Sequence, residues 1–306
     1  MFSNISGPGQ QFLSGLATVQ AAINQAQQEV STGLKVSVAS DAPDEVSAIL
    51  QLHAGIQANA QTTQNLSNVQ GEVGTADQSL STAATILDQA QTLVSEGLGI
   101  NQTAASRATL SGQVQGLLQQ VVGISQTTFE GRYIFSGDSD QTPSYQYDST
   151  AQTATRLQVS ASTRQIADTS GQTFPVGLSA NQIFDARDSA DQPTSGNVFA
   201  ALTSISSALL ANDTTGIQAA AATLKTAASY LNQQQTFYGN AENQITAAQT
   251  AASAQNVSLQ QNLLNITGAD EAAAIVQLQQ GATNLQAAMA AYAKVPHTSL
   301  FSVLNP

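Results

Sequence analysis

Few side chains in this sequence have the types and spacing that chemistry requires. The two histidines, His53 and His297, lie far apart, and neither belongs to an HExxH helix or to a cluster of metal ligands. Asp138 and Asp140 are spaced like the first ligands of a calcium loop, but Pro143 stands where such a loop needs glycine. We therefore interpret this stretch as a turn with solvated carboxylates.

Motifs for nucleophilic catalysis and phosphate binding are missing as well. The sequence contains neither GxSxG nor GxxxxGK[ST], and the GPG at 7–9 begins a GxGxxG pattern whose third glycine is replaced by Phe12. There is no cysteine, which excludes disulfides, thiolate catalysis and cysteine-based metal sites. The sequence predicts no enzyme, no cofactor and no metal site.

The composition favours thin, closely packed helices. Hydrophobic residues make up 42% of the 306 residues but aromatics only 5%, and much of the apolar fraction is alanine, the best helix former. The net charge is −12 with only eight Lys and Arg, which argues against nucleic-acid binding and against a basic membrane anchor. No apolar run reaches the length of a membrane span, and the first residues lack the pattern of a cleaved signal. If the protein is exported, we expect a route without such a signal.

Apolar residues recur every three or four positions along much of the chain, which is the spacing of one helix face. The stripe over 66–94 continues for more than four heptads and predicts a coiled-coil-like seam, which we interpret as internal core. Its members are Leu66, Val69, Val73, Ala76, Leu80, Ala83, Leu87, Ala90 and Val94. Shorter stripes predict helices over about 12–30, 104–128, 198–209, 217–266 and 275–292. Asp41 is predicted to cap the second helix, with Pro43 in its first turn.

Between the helical halves the periodicity changes. Short alternating runs and turn residues over 132–195 predict a small β-rich insert. The stretch GRYIFSG would form its joint with the helices: Gly131 and Gly137 permit turns, while Tyr133 and Phe135 pack. The predicted fold is mainly α, an elongated antiparallel helical bundle or coiled coil formed by the N- and C-terminal segments. The predicted segments are an N-terminal assembly helix and turn (1–40), the N-terminal part of the bundle (41–131), the outer insert (132–195), the C-terminal part of the bundle (196–266) and a C-terminal assembly helix and tail (267–306).

The stripes at the two ends are poor in large residues and rich in Ala and Gln. Isolated helices and small cores are marginal in water, so we expect these ends to be mobile in the monomer and ordered by neighbouring copies. The residues predicted to contact those copies are Phe12, Leu16, Val19, Ile23, Val30, Ile275, Leu278, Leu285, Met289, Tyr292, Leu300 and Phe301.

Three stretches carry a resemblance to a known family. They are STGLKVSVASDAPD at 31–44, ITGADEA at 266–272 and SLFSVL at 299–304. In order and spacing they resemble the flagellin family. GRYIFSG, followed by Pro143, and the ending KVPHTSLFSVL are similar to the hook-associated protein 3 branch of that family, the hook–filament junction proteins.

The resemblance implies a structural subunit of the bacterial flagellum, exported by the flagellar type III apparatus without a cleaved signal. It implies assembly outside the cell, with terminal helices forming an inner tube and the insert facing outward. The implied partners are copies of itself, the hook-side junction protein, flagellin and an export chaperone, but no nucleic acid or membrane. Two alternatives stay open: filament flagellin itself, and a secreted helical adhesin whose insert binds a ligand.

Overall fold

The computed structural model describes the backbone of residues 7–294 and the side chains of residues 10–294. The helices are α1 (Gly7–Thr32), α2 (Val46–Gly97), α3 (Ala104–Ser125), α4 (Ala180–Ile183), α5 (Val198–Leu210), α6 (Thr214–Thr267) and α7 (Glu271–Ala293). The strands are β1 (Thr128–Phe129), β2 (Arg132–Tyr133), β3 (Tyr145–Asp148), β4 (Thr153–Arg156), β5 (Gln165–Ala167) and β6 (Thr173–Pro175). The predicted antiparallel helical architecture with a small strand-containing insert is confirmed.

The chain forms two compact units. One, the central unit, comprises residues 59–255; the other, the terminal unit, comprises residues up to 58 together with those from 256 onward. The five segments predicted from the sequence are a finer division, which stays a prediction.

In the central unit the long helices run antiparallel. Asn59 Nδ2 of α2 donates to the Ala252 carbonyl of α6 at 2.8 Å, and further along α2 Gln70 accepts from Gln249 at 2.9 Å. Residue numbers rise along one helix as they fall along the other. The helices α3 and α5 are antiparallel too. Ser111 Oγ donates to the Ser206 carbonyl at 2.8 Å, and Arg107, earlier in α3, donates to Asn212, just beyond the end of α5.

The seam predicted over 66–94 is core. All nine of its members are buried, and they join one apolar cluster with residues of α3, α5, α6 and the insert. Leu66, Leu80 and Leu87 have no exposed surface. The helix ends at Gly97, near the position that the sequence predicts.

The insert consists of three two-stranded antiparallel hairpins, β1–β2, β3–β4 and β5–β6, and the short helix α4. The alternation over 156–160 predicts a longer strand than the structure forms, since β4 ends at Arg156. One further hydrogen bond continues the hairpin: Leu157 N donates to the carbonyl of Ser144, its opposite residue in the β3–β4 register, at 2.8 Å. The insert is packed into the central unit through buried aromatic residues, including Phe135, Tyr145 and Phe184.

The second helix begins later than predicted. Its first residue is Val46, and Ile49 N donates to the Glu45 carbonyl at 3.0 Å, so Glu45 rather than Asp41 precedes the helix. The segment 41–45 forms turns instead, and the carboxylate of Asp41 has other partners, described below.

Candidate assembly surface

In the terminal unit, α1 and α7 form an antiparallel pair with a constant register. The ring of Phe12 stacks on that of Tyr292, with 4.5 Å between centroids and 17° between planes. Further along, Ile23 lies against Gly281, and beyond the helix Leu34 forms an antiparallel bridge with Gly268. The two predicted terminal stripes therefore contact each other in one chain.

Small residues permit the close approach of these helices. Ala26 and Ala274 are buried, and a Cβ added to Gly281 would lie 2.6 Å from Cγ1 of Ile23. Among the described residues, Ala26 and Ala274 are also the only apolar residues of this unit that are fully buried. The pair therefore has a narrow contact and little core of its own.

The turn after α1 is held by the end of α6. Gly33 has φ of +69°, a left-handed conformation that favours glycine, and its carbonyl accepts from Ala269 N at 2.9 Å. Lys35 N donates to the Thr267 carbonyl at 2.8 Å. These bonds fix where residues 34–39 lie relative to the last turn of α6.

Asp41 closes the same turn. Its Oδ2 accepts from the backbone N–H of Ser37 and of Val38, both at 2.9 Å. The hydrogen bonds from the Val38 and Ser37 backbones lower the pKa of this exposed carboxyl. The predicted capping role is therefore wrong for α2, although Asp41 does satisfy free backbone donors, in the turn that precedes it.

The predicted interface residues divide into two sets. The partly buried residues are Phe12, Leu16, Val19, Ile23, Leu278 and Leu285. Within this first set, Phe12 and Ile23 contact α7, at Tyr292 and Gly281. The exposed ones are Val30, Ile275, Met289 and Tyr292, with exposed fractions between 37% and 60%, although one face of the Tyr292 ring is covered by Phe12. Leu300 and Phe301 lie outside the described residues. That neighbouring copies cover these faces stays a prediction.

The terminal unit exposes further large apolar side chains that the stripes do not include. They are Leu13, Val38, Leu50, Val257, Leu264 and Val276. Leu13, Leu50 and Leu264 each directly follow an apolar residue that is partly buried, namely Phe12, Ile49 and Leu263. Such adjacent apolar pairs are the sequence signal for them, because neighbouring residues on a helix lie about 100° apart and cannot share a narrow face.

The predicted joint lies inside the central unit. Phe135 is fully buried and meets the rings of Phe184 and Tyr238 edge to face, at 5.9 and 6.4 Å between centroids. Gly137 has φ of +59°, and a Cβ there would lie 2.2 Å from the Ala161 carbonyl oxygen, so no other residue fits. Tyr133 is partly buried, at the end of the first hairpin.

The turn of that first hairpin contains a residue that the sequence analysis missed. Both Glu130 and Gly131 have positive φ, 50° and 77°, as in the two-residue turns that suit the twist of paired strands. Glycine at 131 was predicted to permit a turn, but nothing in the sequence marked Glu130.

Polar groups tie the insert to the helices. Glu72 of α2 is bound by Arg164 and lies 3.6 Å from Arg132. Tyr145 donates its hydroxyl to Asp185 at 2.8 Å, and burial, together with the Asp185 charge, raises the pKa of Tyr145. The phenol therefore remains a neutral donor. These contacts are structural, and none places a base beside a nucleophile.

The spacing of Asp138 and Asp140 has a simpler explanation than calcium. Asp138 accepts from the N–H and hydroxyl of Thr163 at 3.0 and 3.1 Å, and Asp140 lies 3.7 Å from Arg132. Within the described residues there is no cluster of three potential metal ligands. His53 is exposed on α2, and His297 lies outside the described residues. Over residues 7–294, no helix is long and apolar enough to cross a membrane.

Comparison with known proteins gives this surface a context. Residues 4–140 match the family described as the bacterial flagellin N-terminal helical region. The chain carries a flagellin-type N-terminal region. No curated protein matches the chain by sequence.

Solved structures share the fold. A protein from Vibrio parahaemolyticus assigned as a flagellar hook-associated protein is similar with a TM-score of 0.65 and 16% identity, over 74% of this chain and 100% of that one. Hook-associated protein 3 from Legionella pneumophila is similar with a TM-score of 0.60 and 14% identity, over 72% of this chain and 98% of that one. FlgL from Bacillus cereus is similar with a TM-score of 0.55 and 20% identity, over 71% of this chain and 99% of that one. At these identities the likeness shows the fold.

Proposed function

We propose that this chain is a structural subunit of the bacterial flagellum that joins hook to filament by polymerising through its terminal helices. One observation carries the proposal: the distribution of exposed apolar side chains. Ten of the fourteen large apolar side chains that are exposed in the described residues belong to the terminal unit, although the central unit is much longer. A surface of this kind marks an interaction site.

The flagellin-type region over 4–140 and the hook-associated fold support this assignment. In this proposal the protein acts outside the cell, with copies of itself and with the axial proteins on either side. Export through the flagellar apparatus without a cleaved signal, and a chaperone for the C-terminal segment, belong to the same proposal. Catalysis has no part in it.

Paired substitutions test the role of the terminal unit. Leu13→Asp and Met289→Asp place charges at 62% and 60% exposed positions there, whereas Ile100→Asp and Leu210→Asp do so at exposed positions of the central unit. We expect the first two variants to be exported but lost from isolated flagella, and the controls to be incorporated normally. Equal incorporation of all four variants would reject the proposal.

Immunogold labelling of intact flagella separates the junction from the filament. Label confined to the joint between hook and filament supports the junction subunit, whereas label along the whole filament indicates a filament flagellin. A secreted adhesin would give no axial label, and the purified protein would be a stable monomer or small oligomer with well-protected terminal helices.

A further inference from the structure

An open apolar groove lies within the terminal unit. Its volume is about 350 Å³, and it is formed by the turn at 34–39, the first turns of α2 and the last turns of α6. Its three walls include Val36 from the turn, Leu50 from α2 and Leu264 from α6. His53 and Thr267 also line it. Every lining residue is uncharged or a histidine.

The walls are fixed, but their side chains are exposed. Thr267 and Asp41 hold the turn through backbone hydrogen bonds. Val38, Leu50 and Leu264 nevertheless remain 56%, 63% and 58% exposed. A groove with a hydrogen-bonded frame and uncovered apolar walls is suited to receive apolar side chains from elsewhere.

The sequence beyond the described residues contains such side chains. Residues 297–304, HTSLFSVL, carry four large apolar residues and neither an acidic nor a basic side chain apart from the histidine. An uncharged segment suits this uncharged groove, because no ion has to leave water when it binds. A cavity of about 150 Å³ accommodates one benzene molecule, so this groove has room for roughly two large side chains but not for a whole helix.

The first two apolar residues of this segment, Leu300 and Phe301, cannot reach the groove of their own chain. The groove lies at the Gly268 end of α7, and the 23 residues of that helix span about 34 Å to its other end. From Lys294 to Leu300 there are six residues, which extend to about 20 Å at most. Leu300 and Phe301 can therefore enter this groove only in another copy.

We propose that the groove binds the LFSVL segment, residues 300–304, of a second copy of this chain. This inference rests on the proposed function, in which copies assemble through their ends, and adds the acceptor site for one end. It also assigns a partner to Leu300 and Phe301, and a role to Leu50 and Leu264, which the helical stripes do not include.

A peptide titration tests the groove without assembly. A fluorescently labelled HTSLFSVL peptide is titrated with the full-length monomer and followed by anisotropy, beside a peptide in which Leu300 and Phe301 are replaced by serine. We expect saturable binding of the first peptide only. Leu264→Ser should weaken it by about tenfold or more, since a large apolar contact is lost, whereas Ile100→Ser should not change it. Equal binding of both peptides, or no effect of Leu264→Ser with unchanged circular dichroism, would overturn the proposal.

Disulfide trapping tests the same contact between copies. Because the chain has no cysteine, Phe301→Cys in one population and Leu264→Cys in another can form a mixed disulfide only between copies. Leu210→Cys, 61% exposed in the central unit, is the control acceptor. We expect oxidation of assembled material to link Phe301→Cys to Leu264→Cys far more than to Leu210→Cys.

The two experiments separate this inference from the proposed function. Assembly with neither peptide binding nor selective trapping would reject the groove and leave the flagellar role standing. Peptide binding by a chain that never assembles or enters flagella would retain the groove and reject the role. A chain that neither binds the peptide nor assembles or enters flagella would reject both proposals.

Discussion

The central and terminal units contain the same kind of apolar stripe but cover it to different extents. In the central unit, Leu66, Leu80 and Leu87 of α2 are fully buried in a cluster with residues of α3, α5, α6 and the insert. In the terminal unit, Phe12 and Leu16 of α1 are only partly buried against α7. A stripe at helical spacing therefore identifies the inward face of a helix without indicating how completely one chain covers it.

This difference has an energetic consequence. Each large side chain that is fully buried stabilises a fold by roughly 1.5–3 kcal/mol, and in the described residues all such side chains belong to the central unit. The fully buried apolar residues of the terminal unit are alanines, which contribute much less. We therefore expect the central unit to be stable in the monomer, and the α1–α7 pair of the terminal unit to gain its stability on assembly.

Hydrogen exchange gives the largest contrast. In a verified monomer, amides over 66–94 should exchange by global unfolding, whereas those over 12–30 and 275–292 should exchange by local opening. We expect protection to differ by roughly 100-fold or more, which corresponds to about 3 kcal/mol. Equal protection of both regions in the monomer would show that the terminal pair does not need neighbours.

Substitution of single large residues should reproduce the contrast in equilibrium stability. Phe184→Ala removes a fully buried ring from the core that the insert shares with the helices, and should cost about 3–5 kcal/mol in urea unfolding. Leu13→Ala in α1, at 62% exposure, should change the same transition by less than about 0.5 kcal/mol. Similar losses for the two variants would mean that Leu13 is covered in the monomer.

Glycine substitutions separate the contact between α1 and α7 from intrinsic helix propensity. Gly281→Ala places a methyl group against Ile23 and should cost about 1–3 kcal/mol of pairing free energy. Gly15→Ala, with no atom within 4 Å of the added carbon, should instead favour the helix by up to about 1 kcal/mol. Hydrogen exchange in α1 and α7 measures both. A more protected pair in Gly281→Ala would contradict the antiparallel register described above.

Asn59 marks the boundary of the apolar seam, and its substitution should have a moderate effect. It occupies the heptad position of Leu66 and Leu80, but its amide is buried and its Oδ1 has no partner in the structure. Asn59→Leu should raise the unfolding free energy by about 1 kcal/mol, since an unsatisfied polar atom is replaced by apolar surface. Gln61→Leu, on the exposed side of α2, is the control and should stay within about 0.5 kcal/mol.

If Asn59→Leu instead lowers the unfolding free energy, the hydrogen bond to Ala252 contributes more free energy than burying the amide costs. A buried asparagine in a helical seam can specify register at the expense of stability. If that is its role here, the stabilised variant should assemble less uniformly, as seen by electron microscopy.

The seam, the helices and the position of the insert were predictable because large apolar residues recur with a clear period. The nine members of the 66–94 seam all became core. The partners of Phe135 were not predictable, since Phe184 and Tyr238 come from segments distant in sequence. Local patterns identify an inward side chain, whereas tertiary packing decides what it contacts.

Two features of the terminal unit were missed for different reasons. Leu50 and Leu264 lie outside the stripe, so an analysis of one face per helix leaves them unexplained. Asp41 was assigned to the wrong set of donors, because an aspartate before a helix and an aspartate closing a turn have the same local sequence. Only the observed start of α2 at Val46 distinguishes the two.

A pH titration compares one turn from each unit and should show the smallest effect. Backbone N–H groups lower the pKa of Asp41 in the terminal unit, and likewise that of Asp148 in the central unit. Each carboxylate therefore stabilises its turn fully above the ordinary aspartate pKa, and the contribution is lost as the pH falls through the lowered pKa. The amide shifts of Val38 and Ala151 should report these transitions, and Asp41→Asn and Asp148→Asn should remove them.

The two turns should differ in what they affect. Val38 lines the apolar groove, so protonation of Asp41 should loosen one wall and weaken peptide binding there. Asp148 holds only the β3–β4 turn, and Asp148→Asn should leave peptide binding unchanged at every pH. Peptide binding could instead stay unchanged in Asp41→Asn while the amide shift of Val38 changes. In that case the turn has no role in the groove, and the acceptor site depends on α2 and α6 alone.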